Sequence, residues 1–133
     1  MKTGTPEVWM GSPYANMTEL ADESSNWEFV KSNLDGIKFH INRVGHPEHM
    51  YQWEEFAKLI QTINQNNIKI GIESMLNFYG IDKDNGKLSA RDQVKMLDRL
   101  YEVGGKCEFL DIDGPIRNLM HPSNGKEGII TLK

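Results

Sequence analysis

The sequence predicts an α/β fold built from parallel βαβ units, and three observations carry that expectation. Short apolar strand segments recur at intervals of about 30 to 40 residues, the spacing of strand, crossover helix and next strand. Between them lie stretches with apolar residues at helical spacing, bounded by capping residues and by Gly or Asn stops. The strand segments alternate apolar and polar residues rather than running continuously apolar. With 133 residues the chain is read as one α/β domain, 1–133, about half of the roughly 250 residues a closed eight-stranded barrel needs.

Taken in order, Glu7 to Gly11 is short, apolar and stopped by Gly-Ser-Pro, which fits a first strand. A loop from Ser12 to Asp22 follows. Ser25 with Glu28 forms a capping-box pattern for a helix through Trp27, Val30 and Leu34, ended by Asp35-Gly36. Ile37 to Asn42 alternates strictly and predicts a strand with Lys38, His40 and Asn42 on its polar face. Arg43 to His49 reads as a loop. Met50, Trp53, Phe56, Ala57, Ile60 and Ile63 then make a broad apolar stripe that stops at the Asn-rich 64–67 segment. Ile68 to Glu73 repeats the alternation, with Lys69, Gly71 and Glu73 opposite three isoleucines. After a loop from Ser74 to Leu88, Ser89 and Asp92 predict the cap of a helix through Tyr101 and Val103, stopped by Gly104-Gly105. Cys107 to Asp113 reads as a buried strand closed by Gly114-Pro115, and Ile116 to Met120 as one helical turn.

Two parallel arrangements compete. An open doubly wound sheet has helices on both faces, so its strands should be nearly continuous apolar runs. Half of a (β/α)8 TIM-like barrel has helices on one face only and leaves the other as a polar interior. Lys38, His40, Asn42, Lys69 and Glu73 suit such an interior and would be costly beneath a packed helix layer, so the half-barrel is the preferred expectation.

Composition narrows the partners. Net charge is −4 and the basic residues form no stripe, which argues against nucleic acid or an anionic membrane. The one cysteine, Cys107, cannot form an intrachain disulfide and reads as a core residue. Neither a signal-peptide apolar region nor a window of about 18 apolar residues is present, so a cytoplasmic protein with no membrane partner is expected.

Parallel α/β folds collect ligands at the C-terminal ends of their strands. The polar phase places His40 and Asn42, then Glu73, then Asp111 and Asp113 at those ends. Carboxylates from adjacent strands there are suited to paired acid/base work, which makes Glu73, Asp111 and Asp113 the catalytic candidates. The same residues also fit an ion-paired barrel floor of Lys38, Lys69, Glu73 and Glu108, with the aspartates capping the next loop. His40, Asn42, Asn77, Tyr79 and Arg117 are the substrate-binding candidates, and Tyr14, Phe78, Asn16 and Asn118 lie in the same predicted loops. No cofactor is expected. The alternative is a divalent metal such as Mg or Mn held by His40, Glu73, Asp111 and Asp113. The 82–86 segment lacks the ligand spacing of a calcium loop and reads as a turn, and there is no Gly-rich phosphate loop, nucleophile elbow or Cys/His zinc pattern.

Trp9 in the first strand, Ile70-Gly71-Ile72-Glu73 in the third and Leu110-Asp111-Ile112-Asp113 in the fourth resemble the N-terminal half of the (β/α)8-barrel glycoside hydrolases and related sugar-acting barrels. That resemblance implies a carbohydrate-active barrel fragment with a small-molecule or oligosaccharide ligand. Chitinase-like barrels end their fourth strand in Asp-x-Asp-x-Glu; Asp111 and Asp113 match, but Pro115 stands in place of the acid, which argues against chitinase activity. The alternatives are a non-catalytic carbohydrate-binding module and a metal-dependent sugar isomerase or aldolase-like barrel. Four strands with an uncovered polar face and open edges also lead to the expectation of a homodimer or higher oligomer.

Overall fold

The computed structural model describes residues 6–11, 17–75 and 85–113. Four strands, β1 (Trp9–Gly11), β2 (Gly36–His40), β3 (Lys69–Met75) and β4 (Cys107–Asp113), form one sheet in the order β1-β2-β3-β4. All three pairings are parallel. The described strands therefore contain no reversal of order, the switch point that a doubly wound sheet carries.

Helices connect the strands. A 3-10 turn (Met17–Ala21) and α1 (Glu28–Asn33) lie between β1 and β2, α2 (Ile41–Gly45) and α3 (Trp53–Gln65) between β2 and β3, and α4 (Asn85–Glu102) before β4. One face of the sheet supplies the core: Ile37, Phe39, Ile70 and Ile72 are buried against Leu20, Val44, Phe56, Leu59, Ile60, Ile63 and Leu100. Each such side chain taken fully out of water contributes about 1.5–3 kcal/mol. The polar phase of the same strands faces away from that layer, which is why a lysine and a glutamate tolerate the centre of the sheet.

Several boundaries differ from the sequence expectation. β2 ends at His40, and Ile41 to Gly45 is helical where strand and loop were predicted. The imidazole of His40 caps the new helix by accepting the Asn42 backbone N–H at 3.2 Å. Ser25 does not cap α1; its hydroxyl turns back to the Asp22 carbonyl at 2.5 Å, and α1 begins at Glu28 with no side-chain cap and no buried residue. α3 starts at Trp53, leaving Met50 outside it and exposed. β3 runs two residues further than predicted, to Met75. α4 begins at Asn85, so Ser89 lies inside the helix, buried, one turn before Gln93.

The fourth strand has the predicted limits but not the predicted burial. Cys107 is half-buried against the core, whereas Phe109, Leu110 and Ile112 are 40%, 48% and 47% exposed. β4 is the last strand of the described sheet, and its outer edge has no described neighbour.

Two close approaches fix the helix layer. A methyl group at Gly45 would lie 2.6 Å from the Met96 backbone, so α2 meets α4 at a position only glycine permits. Arg99 of α4 donates to the Val44 carbonyl at 2.6 Å and to the Tyr51 carbonyl, and its guanidinium stacks over Phe56 and Trp53. Those contacts satisfy carbonyls at the end of α2 and before α3 with a single planar fork.

Candidate functional site

The polar face is layered along the strand direction. Lowest is an ion pair between Lys69 and Glu7, whose other oxygen accepts the Trp9 indole N–H at 2.9 Å. Above it the Trp9 ring lies across Gly36 and the Phe109 ring across Gly71; a methyl group at either glycine would fall within 2.5 Å of the ring. The two rings meet edge to face at 5.0 Å. Side chains from the outer strands thus lean over glycines of the inner strands and cover the seam between them.

Next comes the charged centre. Register sets His40 beside Glu73 and Glu73 beside Asp111. Lys38, one turn of the pleat below His40, reaches up between the carboxylates, with Nζ 2.9 Å from Glu73 Oε2 and 2.7 Å from Asp111 Oδ2. Hydrogen bonding to Asp111, then to Glu73, holds the Lys38 ammonium above its ordinary pKa. Lys38 is therefore a fixed positive charge at neutral pH. A Schiff-base lysine needs the opposite shift.

His40 closes the upper end. Because Nδ1 accepts the Asn42 N–H, the neutral ring carries its proton on Nε2 and acts there as a donor. Burial pushes its pKa down, the charge of Glu73 opposes that shift, Arg43 adds to it and Asp113 opposes it. Those effects place both acids within electrostatic range of the ring. A neutral imidazole with a set tautomer is suited to hold a ligand oxygen.

Of the predicted site residues, Glu73, Asp111 and Asp113 share the polar face, and His40 stands at the head of the same face. Asn42 does not extend that row; it lies in α2, half-buried, because the chain leaves the strand at His40. Asn77, Tyr79 and Arg117 lie outside the described residues, as do Tyr14, Asn16, Phe78, Asn118 and the turn at 116–120. The predicted floor of four charges is divided differently: Lys69 pairs with Glu7, Lys38 with Glu73 and Asp111, and Glu108 with Lys106 at 3.0 Å. The residues reasoning from sequence missed are Lys38 as a member of the site and the Trp9–Phe109 pair. The phase of Lys38 pointed to the face, but only the register shows that it reaches two carboxylates.

The donor set proposed for Mg or Mn fits such an ion poorly. The Lys38 ammonium already stands between Glu73 and Asp111, and a divalent cation there would be repelled by it. The Nδ1 of His40 accepts the Asn42 N–H that begins α2, so metal ligation by this ring would also give up the helix cap.

A concavity of about 380 Å³ lies elsewhere, between the 3-10 turn, α1 and α3, lined by Asp22, Glu28, Lys31 and Lys58 among others. Its walls are long mixed-charge side chains on the helical side, and the polar face of the sheet contributes nothing to it.

Comparison with known proteins adds no assignment. No protein-family model, curated protein or solved structure matches this chain. Among the described residues no helix is long and apolar enough to cross a membrane.

Proposed function

We propose that this chain is half of a (β/α)8-type barrel that acts on carbohydrate, its sugar site formed at the C-terminal ends of β2, β3 and β4. One observation supports this above the others: a polar sheet face, with no described element packed over it, in which Glu73 and Asp111 flank a single ammonium, with His40 and Asp113 above and an aromatic pair below. Sugars are bound by carboxylates and fixed donors on their hydroxyls and by aromatic faces on their C–H surfaces. Adjacent carboxylates also stabilise the positive charge that develops on a sugar ring during glycosidic cleavage.

In this arrangement Lys38 takes one oxygen from each carboxylate and leaves Glu73 Oε1 and Asp111 Oδ1 outside the bridge. Asp113, two residues beyond Asp111 on the same face, is the carboxyl nearest the strand end and the candidate for proton transfer. A second function, sugar binding without hydrolysis, is favoured by the same bridge, since a carboxylate tied to an ammonium is a binding group before it is an acid.

Reducing-end release from a panel of oligosaccharides tests the proposal, alongside calorimetric binding of the same panel. Release that falls about a hundredfold in Glu73→Gln and Asp113→Asn, the usual scale of general acid/base loss, with melting temperature kept, supports hydrolysis. Binding without release supports the binding module. Neither binding nor release of any sugar overturns both. Added Mg²⁺ or Mn²⁺ should not change turnover.

A further inference from the structure

Among the described residues, one group of side chains away from the polar face has metal-ligand chemistry. His46, Glu48 and His49 follow α2 in the segment His46-Pro47-Glu48-His49, and one ligand atom from each lies within 4.8 Å of the others. The two imidazoles are stacked, 4.9 Å apart and 20° from parallel. Their backbone is a closed turn: the N–H groups of His49 and Met50 both donate to the His46 carbonyl, at 3.0 and 2.9 Å. Arg43 holds the His49 carbonyl at 3.3 Å, the Tyr51 N–H returns to the Arg43 carbonyl at 3.0 Å, and Pro47 fixes its own φ. The turn is therefore braced from both sides while Glu48 and His49 stay exposed to solvent.

We propose that His46, Glu48 and His49 bind a divalent transition-metal ion of the zinc class. Two imidazoles and one carboxylate, with positions left for water, are the donor set of open zinc sites and of other borderline metals. Magnesium and calcium, which take oxygen ligands, are discriminated against. The donor atoms must draw together from their present spacing, and the exposed side chains of Glu48 and His49 are free to move toward the half-buried His46. Binding has a cost at His46: its Nδ1 accepts the Glu48 N–H at 3.2 Å, and ligation through either ring nitrogen gives up that hydrogen bond, which an exposed Glu48 amide recovers from water. Arg43 donates to the His49 backbone carbonyl and lies over the Tyr51 ring face, 6.0 Å away. The site is separate from Lys38, Glu73 and Asp111 and does not depend on the carbohydrate proposal.

Calorimetric titration of the full chain with Zn²⁺, and with Mg²⁺ as control, tests this. One zinc per chain is expected, with no heat from Mg²⁺. His49→Gln and His46→Gln, measured separately, should each weaken zinc binding at least about tenfold, since even the loss of a group that only orients a ligand costs 10–100-fold. His49 is exposed, so unchanged circular dichroism is expected of His49→Gln, and the spectrum of His46→Gln, at a half-buried position, shows whether the fold is kept there; Glu48→Gln, which leaves both rings in place, serves as a second, gentler variant with a smaller loss. Zinc binding retained at full strength in both histidine variants, or absent from the unaltered chain, overturns the proposal.

Discussion

Lys38 is the side chain on which the polar face depends. Removing it leaves Glu73 and Asp111 as neighbouring like charges, so Lys38→Met should destabilise by about 1 kcal/mol, the scale of a partly exposed pair in a network. If repulsion is the cause, added salt should reduce that loss, and the double variant Lys38→Met/Glu73→Gln should regain most of it. Urea unfolding at low and high salt measures both; a loss indifferent to salt would mean that Lys38 contributes by packing its methylenes. His40 makes the second claim at this scale. Its folded pKa lies below its ordinary 6.5 because of burial, so its contribution is fully present above that value and is lost as pH falls through it toward the folded pKa. Protonation also adds a proton to the nitrogen that caps α2. His40→Asn keeps a capping side chain and removes the titration, and should flatten the decline in unfolding midpoint as pH falls below the ordinary 6.5. An unchanged slope would assign the decline to other groups.

Elements were legible in the sequence where period and phase agreed, and illegible where a contact far along the chain decided. β2 and β3 were readable because Ile37, Phe39, Ile70 and Ile72 alternate with polar residues in matched phase, and that phase alone brought Glu73 and Asp111 to one face. α2 was not, because Ile41 continues the strand alternation and only the His40 cap and the seat of Val44 in the core turn the chain into a helix. The start of α4 was hidden by Asn85-Gly86, a turn signal that serves here as a helix beginning, while the Ser89 read as its cap is buried at the β3–α4 contact with Gln93 and Ser74. Glycines give this scale its test. Gly45→Ala drives a methyl group into the Met96 backbone and should cost about 1–3 kcal/mol, as overpacking does. Gly86→Ala, in open space on α4, should instead stabilise by about 0.5 kcal/mol. Thermal melts of the two variants that moved in the same direction would contradict the close α2–α4 approach.

For the whole molecule, the order β1-β2-β3-β4 leaves two strand edges and one face without a described partner, and β4 carries three exposed large apolar residues, Phe109, Leu110 and Ile112. Leu110 and Ile112 point to the helical side, where they are 48% and 47% exposed, while Phe109 shares the polar side with Asp111 and Asp113. An edge of that kind is a template for further strands. The proposed half-barrel gives the edge a specific use: a second copy of the chain supplies four more strands, and closure removes both edges together. The expected outcome is therefore a dimer or higher oligomer at micromolar concentration, with an interface on the order of 1,000 Å² or more. Leu110→Lys with Ile112→Lys places charge along the edge and should shift the assembly toward monomer, with a lower melting temperature that no longer depends on protein concentration. Light scattering and sedimentation of the unaltered chain decide the matter. A stable, well-folded monomer would leave the four-stranded sheet complete as it stands, and with it the half-barrel proposal would fail.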